Sequence, residues 1–311
     1  MDCAGFRSGI RYFNRLEPAG TVEGDTRYHD TSSMTDISQN AGREGRSLLA
    51  NGWSSSIGIR LAIWLHFACA IAFVVSPEGW PWMLATLVLC HLALGGVGMW
   101  PRSRLLGPNL LRLPDSATQL GQVALTFDDG PDADVTPKVL DILDRYGAKA
   151  SFFCVGEKAA AHPDIVRDIV RRGHGVENHS MRHAKLFAFF GVTALRTDIG
   201  MTQSLLSNLA GRPPAFFRAP MGIRNPLLAP VVAEFGLTYT SWTRRGFDAC
   251  GRDPALVLAR LTRDLAAGDI MLLHDRKSAH GDPIVLTVLP LLLERIVATG
   301  LKSVSLQTAM R

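Results

Sequence analysis

The sequence predicts an α/β fold, a (β/α)7-type barrel preceded by a two-helix membrane hairpin, and three observations lead to it. From residue 121 onward, short apolar runs alternate with longer segments of helical period, which is typical of parallel strands joined by helical crossovers. Seven such strands within about 185 residues favour a barrel over an open sheet. Two apolar runs without charged residues stand before this pattern.

We divide the chain into a tail, a pair of membrane helices, a basic linker and a barrel domain, at residues 1–55, 57–100, 101–120 and 121–311. The first part is polar and has no apolar period, which predicts a disordered tail. Translation could start at Met1 or at Met34, since nothing between them has the pattern of a folded segment.

Composition excludes several classes of function. The net charge of +5 is a mild basic excess, and no run of Lys and Arg with interleaved aromatic residues occurs, so nucleic acid is not an expected partner. The five cysteines are scattered and odd in number, which argues against a disulfide framework and against a Cys-x-x-Cys metal site. Any bound metal is therefore expected to use His and carboxylate ligands.

The apolar runs Leu61–Ser76 and Trp82–Met99 contain no Asp, Glu, Lys or Arg. Each is close to the lower limit of about 17–25 residues for a membrane span. Tryptophans at the run ends, Trp80, Trp82 and Trp100, suit a membrane interface. We predict a membrane hairpin in contact with lipid, and the alternative is a pair of buried helices in a soluble fold.

The connector 77–81 is too short to cross a membrane, so both flanks of the hairpin must lie on one side. Arginines flank both runs, whereas the connector has no Lys or Arg: Arg43, Arg46 and Arg60 come before, and Arg102, Arg104 and Arg112 come after. The positive-inside rule then predicts a bacterial-type inner membrane with the catalytic domain on the cytoplasmic side. The alternative is one true span with the other run lying in the interface, which would put the barrel outside.

The predicted barrel elements alternate along the chain. The strands are Val123–Phe127, Ala150–Val155, Gly175–Asn178, Phe216–Arg218, Leu237–Ser241, Ile270–Leu273 and Lys302–Ser305. The helices are Val135–Tyr146, Pro163–Arg172, Val192–Leu209, Asn225–Phe235, Pro254–Leu265 and Ile284–Thr299. Functional residues of such barrels lie at the carboxyl ends of strands, which directs attention to the segments that follow them.

Two adjacent carboxylates, Asp128 and Asp129, end the first strand, where Gly130-Pro131 turns the chain. Neighbouring side chains on a strand point to opposite faces, but a turn can bring both into one cleft. There one carboxylate could bind a metal and the other could act as a base. An ordinary turn is the alternative, because Asp, Gly and Pro are common turn formers.

His179 and His183 follow the third strand, four residues apart, and would fall on one side of a helical turn. Such a pair is a weak signal alone. With Asp129 it becomes a set of three protein ligands that leaves a position open, as in metal sites that activate water.

Further candidates also lie at strand ends. His274 could act as a general acid, and Asp248 could orient it and raise its pKa. Arg218 could hold the Asp128 carboxylate and keep it ionised. Taken singly, Arg218 and Asp248 could form ordinary salt bridges, and Trp242 could serve packing alone.

These residues also carry a family resemblance. From about Gln122 to the end, the chain resembles the NodB-type polysaccharide deacetylases, carbohydrate esterase family 4. Five segments match in order: Thr126–Asp132 (T-F-D-D-G-P-D), His179–His183 (H-S-x-x-H), Arg218–Gly222 (R-A-P-x-G), Trp242–Asp248 and Leu272–Asp275 (L-L-H-D). The resemblance implies a distorted (β/α) barrel and metal-dependent removal of an N-acetyl group from an N-acetylglucosamine-type sugar, in a polymer or an oligosaccharide.

The resemblance also implies roles. It assigns Asp128 as the base and His274 as the acid, with Arg218 tuning the base and Asp248 tuning the acid. The implied ligands of a divalent metal, with Zn²⁺ as the first choice by the resemblance, are Asp129, His179 and His183. The residues implied on the substrate and oxyanion side are Pro220, Met221 and Trp242. Position 221 departs from the family, which usually has an aromatic residue there, although any residue except Pro supplies the backbone N–H. The segment from Trp242 to Asp248 has a variant spacing.

Three other functions remain open at this stage. A deacetylase or deformylase of a lipid-linked amino sugar would suit the apolar runs. A non-catalytic carbohydrate-binding membrane protein would leave unexplained why every catalytic position is filled. A purely structural membrane protein would leave the five ordered segments unexplained.

Overall fold

The computed structural model describes residues 55–250, 253–277 and 283–311. The predicted tail and Met34 therefore lie outside the described residues, apart from Ser55. Helices α1 (Ile57–Val75) and α2 (Trp80–Gly98) are joined by a short 3₁₀ turn. Both are long and apolar enough to cross a membrane, by length and composition, and Gly98 is their only buried residue. The first helix begins earlier than the predicted run and includes Arg60.

Eight parallel-paired strands follow in the described part of the chain. They are β1 (Gln122–Asp128), β2 (Ala150–Cys154), β3 (Gly175–Asn178), β4 (Phe216–Phe217), β5 (Thr238–Tyr239), β6 (Arg244–Arg245), β7 (Ile270–His274) and β8 (Lys302–Ser303). Their order is β5-β4-β3-β2-β1-β7-β6, with β8 paired to the start of β1. The predicted α/β barrel class is confirmed as a curled, partly open barrel. The count of seven strands was one short, because the polar pair β6 has no apolar strand pattern.

Helices cover the outside of this sheet. They are α3 (Asp115–Gln119), α4 (Thr136–Arg145), α5 (Gly156–Ala161), α6 (Pro163–Arg171), α7 (Val192–Ala210), α8 (Leu228–Glu234), α9 (Pro254–Thr262), α10 (Ile284–Ala298) and α11 (Leu306–Ala309). The period of α4 places Val139, Leu140 and Leu143 on one buried side. They join the main apolar core, which lies between the helices and the sheet.

Strand β1 shows how this arrangement creates a polar interior. Its alternate residues Leu125 and Phe127 belong to the apolar core, and the Phe127 ring stacks on Phe152. Thr126 and Asp128 point to the other face, which is the inside of the curled sheet, and both contact the Arg218 guanidinium. The same alternation that builds the core therefore brings polar groups together inside the barrel.

The stretch 101–120, predicted as a linker, is packed into the barrel wall. Leu110 donates to the Tyr239 carbonyl at 2.9 Å and accepts from the Ser241 N–H at 3.0 Å, beyond the end of β5. Arg112 bridges to Asp269, next to the start of β7. The strand order leaves β5 and β6 as open edges, and unpaired edge groups need partners. This stretch supplies them where the sheet does not close, so it is part of the domain's structure.

Candidate active site

The end of β1 carries Asp128 and Asp129 into one cleft, as the sequence predicts. Asp128 is buried, and the register of β1 with β7 sets it beside His274. Asp129 has a φ of 73°, a left-handed conformation that interrupts strand alternation. Its side chain therefore turns to the same side as that of Asp128. Gly130 makes the turn possible, because a Cβ there would lie 2.1 Å from Oδ2 of Asp275.

Three groups with metal-ligand chemistry converge beside this turn. Oδ1 of Asp129 lies 3.4 Å from Nε2 of His179 and 3.1 Å from Nε2 of His183. Candidate ligand atoms of all three residues lie within 4.8 Å of one another. Nδ1 of His179 hydrogen-bonds to the Arg218 carbonyl at 2.8 Å, which directs Nε2 toward the other two groups. The donor set suits a divalent ion that accepts nitrogen and oxygen ligands.

The two imidazoles do not share a helical turn, so that part of the prediction was wrong. Residues 179–183 form a loop in which Ser180 and His183 have positive φ values of 67° and 48°. The Ser180 hydroxyl accepts the His183 N–H at 3.0 Å, and the buried Asp198 accepts the Met181 N–H at 3.0 Å. A hydrogen-bonded loop, and not a helical turn, therefore brings the rings of His179 and His183 close together.

Asp129 is held in its ionised form. Burial by itself would raise the pKa of this carboxyl group, but hydrogen bonds from His179 and His183 outweigh it and hold the pKa well below its usual range. A charged carboxylate is the form that binds a cation.

Arg218 is fully buried and fixes Asp128. Its Nη1 donates to Oδ1 of Asp128 at 2.6 Å, and Nε and Nη2 donate to the carbonyls of Thr240 and Ser241 at 3.2 and 3.0 Å. The guanidinium also lies 4.0 Å from the centre of the Phe153 ring. With its donors directed in this way, Arg218 leaves Asp128 one orientation, in which Oδ2 faces the cleft, 3.8 Å from Nε2 of His179.

On the other side of the cleft, Asp248 binds His274 twice. Its Oδ1 lies 3.0 Å from Nδ1 of the imidazole, and its Oδ2 accepts the His274 backbone N–H at 2.7 Å. Burial by itself would lower the pKa of His274. The adjacent carboxylate of Asp248, with Asp129 and Asp128 further off, outweighs burial and raises this pKa to about 9.

The structure gives Pro220, Met221 and Trp242 different surroundings. Met221 has a φ of 57° inside a 3₁₀ turn and is partly exposed. Pro220 and Trp242 are buried, and the Trp242 ring lies 5.7 Å from the Arg218 guanidinium. Met221 is therefore partly open to solvent, whereas the Trp242 ring packs against the turn at Gly222.

Sequence reasoning gave no role to three other groups that surround the site. The buried Asp275 accepts from the Thr136 hydroxyl at 2.7 Å, and burial raises its pKa to about 7. Lys158 donates to the carbonyl of Asp129 at 2.6 Å, and Nε of Arg276 lies 3.0 Å from Oδ2 of the same residue. Asp275 and Arg276 directly follow His274, which was the one available signal. Lys158 has none, because only folding brings its helix to β1.

Comparison with known proteins places the chain in a family. Residues 115–240 match the polysaccharide deacetylase family. The peptidoglycan-N-acetylglucosamine deacetylase of Bacillus cereus is 35% identical over 161 residues, which are 51% of this chain and 58% of that protein. The chitooligosaccharide deacetylase of Sinorhizobium fredii is 32% identical over 173 residues, which are 53% of this chain and 77% of that protein. The chain thus spans little more than half the length of the first relative.

A solved structure agrees with this placement. The family 4 acetyl xylan esterase of Clostridium thermocellum, in complex with a cobalt ion, is 30% identical, with a TM-score of 0.55 over 60% of this chain and 89% of that one. The chain belongs to the NodB-type polysaccharide deacetylases, carbohydrate esterase family 4.

Proposed function

We propose that this protein removes N-acetyl groups from an N-acetylglucosamine-type sugar in a polysaccharide or glycoconjugate. One observation carries the proposal. A carboxylate held by arginine and an imidazole held by aspartate, Asp128 and His274, stand on adjacent strands beside three converging metal-ligand groups. Hydrolysis of an amide needs a base for water and an acid for the leaving amine, and this arrangement offers both. The names of the B. cereus and S. fredii relatives support the substrate class.

Asp129, His179 and His183 would hold a divalent metal, with zinc as the first choice. Two imidazole nitrogens and one carboxylate oxygen suit zinc, and the same set accepts other divalent ions. When bound, the metal supplies Lewis-acid polarisation of the acetyl carbonyl and a lowered pKa for water. The cobalt ion in the C. thermocellum esterase is consistent with a site that accepts more than one metal.

The proton transfers can be assigned to particular atoms. Oδ1 of Asp128 is engaged by Arg218, so Oδ2 is the atom that takes a proton from water. Nδ1 of His274 is engaged by Asp248, so Nε2 is the atom that gives a proton to the leaving amine. With a pKa of about 9, His274 carries that proton at neutral pH. We assign the backbone N–H of Met221 to the developing oxyanion, a role that does not depend on the side chain.

Acetate release tests the proposal directly. Full-length protein loaded with zinc is incubated with acetylated chito-oligosaccharides, with peptidoglycan and with an undecaprenyl-linked N-acetylamino sugar, and free acetate is measured. We expect release from at least one substrate, loss of release after chelation, and recovery on adding zinc back. The Asp128→Asn variant, which leaves all three proposed ligands in place, is the matched control. Metal binding without acetate from any of them would contradict the proposal and favour a carbohydrate-binding role.

The lipid-linked substrate has an observation in its favour. Helices α1 and α2 precede the barrel, are long and apolar enough to cross a membrane, and bury none of their apolar side chains completely. We propose that they form a hairpin in a bacterial-type inner membrane, with the barrel on the cytoplasmic side, where a sugar made on the inner leaflet would be available. An alkaline phosphatase fused after Arg311 is expected to be inactive and a fluorescent protein fused there to be bright. The reverse pattern would place the barrel outside.

A further inference from the structure

The base of the hairpin is joined to the loop that carries Met221. The backbone N–H of Arg224 donates to the Gly98 carbonyl, at the end of α2, at 3.1 Å. The contact is close, because a Cβ on Gly98 would lie 2.2 Å from the Arg224 carbonyl oxygen. The Arg224 guanidinium also hydrogen-bonds to the carbonyl of Ser103, just after the hairpin. The loop after β4 is therefore tied to the point where the chain leaves α2.

An open apolar groove of about 730 Å³ lies between the helices and this loop. Ile63 and Phe67 of α1 and Leu94 of α2 line one wall, and Pro226 and Leu227 line the other. Three polar side chains, His66, His91 and Asn225, also line the groove, and each hydrogen-bonds to a backbone carbonyl. On α1 the lining extends from Ile59 to Ala70, which is about 16 Å at 1.5 Å per residue. Since α1 as a whole is about 28 Å long, the groove extends along roughly half of the helix.

The loop after β3 also exposes apolar side chains. Phe189 is 84% exposed and Leu186 is 65% exposed. The Asn225 side chain joins the two loops, because its Nδ2 donates to the carbonyls of Ala188 and Phe190 at 2.9 Å each. We call Leu186, Phe189 and Leu227 the apolar rim.

The charge pattern around the rim matches a bilayer surface. Residues 186–195 and 225–233 contain no Asp, Glu, Lys or Arg. The exposed basic residues nearby are Lys185 at one border and Arg60, Arg102 and Arg104 at the hairpin base. Arg196 pairs with Glu234 at 2.7 Å, and Arg224 is buried. An uncharged apolar surface edged by Lys and Arg suits hydrocarbon next to phosphate headgroups.

We propose that the apolar rim inserts into the same membrane leaflet that the hairpin enters, with lipid hydrocarbon filling the groove between rim and hairpin. If α1 and α2 cross the membrane, the groove beside Ile59–Ala70 lies at the depth of that leaflet, where a mainly apolar surface is stable if its few polar groups are hydrogen-bonded within the protein. The proposal rests on the proposed membrane insertion of the hairpin and does not depend on the deacetylase activity.

Insertion of the rim would also select the substrate. His183 of the metal site lies three residues before Leu186, and Met221 lies six residues before Leu227. Both loops come from the carboxyl ends of their strands, where the candidate active site lies. The cleft would therefore be held at the membrane surface, within reach of a glycan anchored to a lipid.

Photocrosslinking in the full chain tests the insertion. The protein is placed in phosphatidylglycerol/phosphatidylethanolamine nanodiscs with p-benzoylphenylalanine in place of Phe189, Phe67 or Leu120, and adducts are identified by mass spectrometry. Phe67 reports on the hairpin. Leu120 is the matched control, being 71% exposed just before the start of β1, at the opposite end of the barrel from the site.

We expect lipid adducts from positions 67 and 189 and none from position 120. Adducts at 67 without adducts at 189 would overturn the proposal, as would equal adducts at 189 and 120. A crosslink from position 189 to a second copy of the chain would contradict the proposal and show that the rim contacts protein and not lipid. Absence of lipid adducts at 67 would remove the membrane insertion on which the proposal rests.

A kinetic measurement separates this proposal from the deacetylase function. Leu186→Ser combined with Phe189→Ser should lower acetate release from an alkyl-chain glycoside of chitotetraose in proteoliposomes about tenfold. Release from chitotetraose without the chain, in detergent, should not change. An unchanged rate on both substrates, or an equal loss on both, would contradict the proposed insertion of the apolar rim. Wild-type protein that releases no acetate from either would refute the function alone, and the crosslinks would still decide the rim.

Discussion

Asp128 with Arg218, and His274 with Asp248, are two buried pairs of opposite charge that flank one cleft. In the first pair the residue that faces the cleft is the anion, and a cation holds it. In the second pair the residue that faces the cleft is the cation, and an anion holds it. The strand register brings the two pairs side by side at the ends of β1 and β7. One kind of interaction thus prepares a proton acceptor on one side and a proton donor on the other.

The supports of the two pairs differ. Arg218 belongs to a wider network that includes Thr126, the carbonyls beyond β5 and the Phe153 ring. Asp248 holds His274 through two hydrogen bonds, one to the ring and one to the backbone. We therefore expect substitutions in the Asp128–Arg218 pair to lower both stability and activity. Substitutions of Asp248 should mainly change the pH dependence of the reaction.

The largest effect is expected from loss of the candidate metal site, which lies beside both pairs. His179→Ala takes away a buried candidate ligand, so the purified protein should lose its metal and all measurable acetate release. His162→Ala is the matched control, because His162 lies at the start of α6 away from the cluster and should leave both unchanged. Elemental analysis with an activity assay measures this. Full metal content in the His179→Ala protein would show that the ligand set is wrong.

Next in size is the loss of the base. Asp128→Asn preserves a hydrogen-bond acceptor for Arg218 but cannot take a proton from water. We expect the metal to stay bound and kcat to fall by about 10²–10⁴-fold. Turnover within about threefold of the wild type would transfer the role of base to another group.

Arg218→Met tests the wider network. It leaves the buried Asp128 carboxylate without its partner, which typically costs about 3–5 kcal/mol of stability. Adding Asp128→Asn to it should recover much of that loss, because the uncompensated charge is gone, without restoring activity. Unfolding of the single and double variants in detergent, analysed as a double-mutant cycle, measures the coupling. Additive losses would mean that Arg218 acts through its carbonyl contacts and not through Asp128.

The smallest expected effect is a shift in a pH profile. Asp248→Asn removes the charge that outweighs burial, so the alkaline limb of kcat should move from about pH 9 toward 6.5. Because the folded pKa of His274 is raised, its contribution to stability is complete below pH 6.5 and disappears as the pH rises through about 9. That stability difference should be absent from the variant. Asp141→Asn, at a surface pair with Arg172, should leave the limb in place.

Much of this arrangement could be read from the sequence. Alternating apolar runs predicted the parallel strands, and Asp128, Arg218 and His274 were expected at strand ends because that is where such barrels carry their polar groups. The pairing of Asp248 with His274 was also expected, despite the unusual spacing of its segment, and the structure brings the two residues together. The roles of all these residues in catalysis are still predictions.

Other features depended on contacts between distant parts of the chain. The two-residue strand β6 exists only as a partner of β7, and the stretch around Leu110 acquires its role from the open edge that β5 presents. The family resemblance assigned Trp242 to the substrate side, but the ring is buried in the structure. No local pattern encodes such outcomes, because each depends on which groups lack a partner after the rest of the sheet has formed.

By itself, the sequence determined the alternation of the longer strands and helices, the two apolar helices and the residues that stand at the strand ends. Each of these follows from local periodicity and from the chemistry of single side chains. Only the tertiary structure decided that Asp129 turns into the cleft with a φ of 73°, that a loop brings His179 to His183, and that the hairpin base meets the Met221 loop. The physical reason is that a left-handed turn and a contact between distant loops are stable only where the surrounding fold satisfies their hydrogen bonds and fills their space.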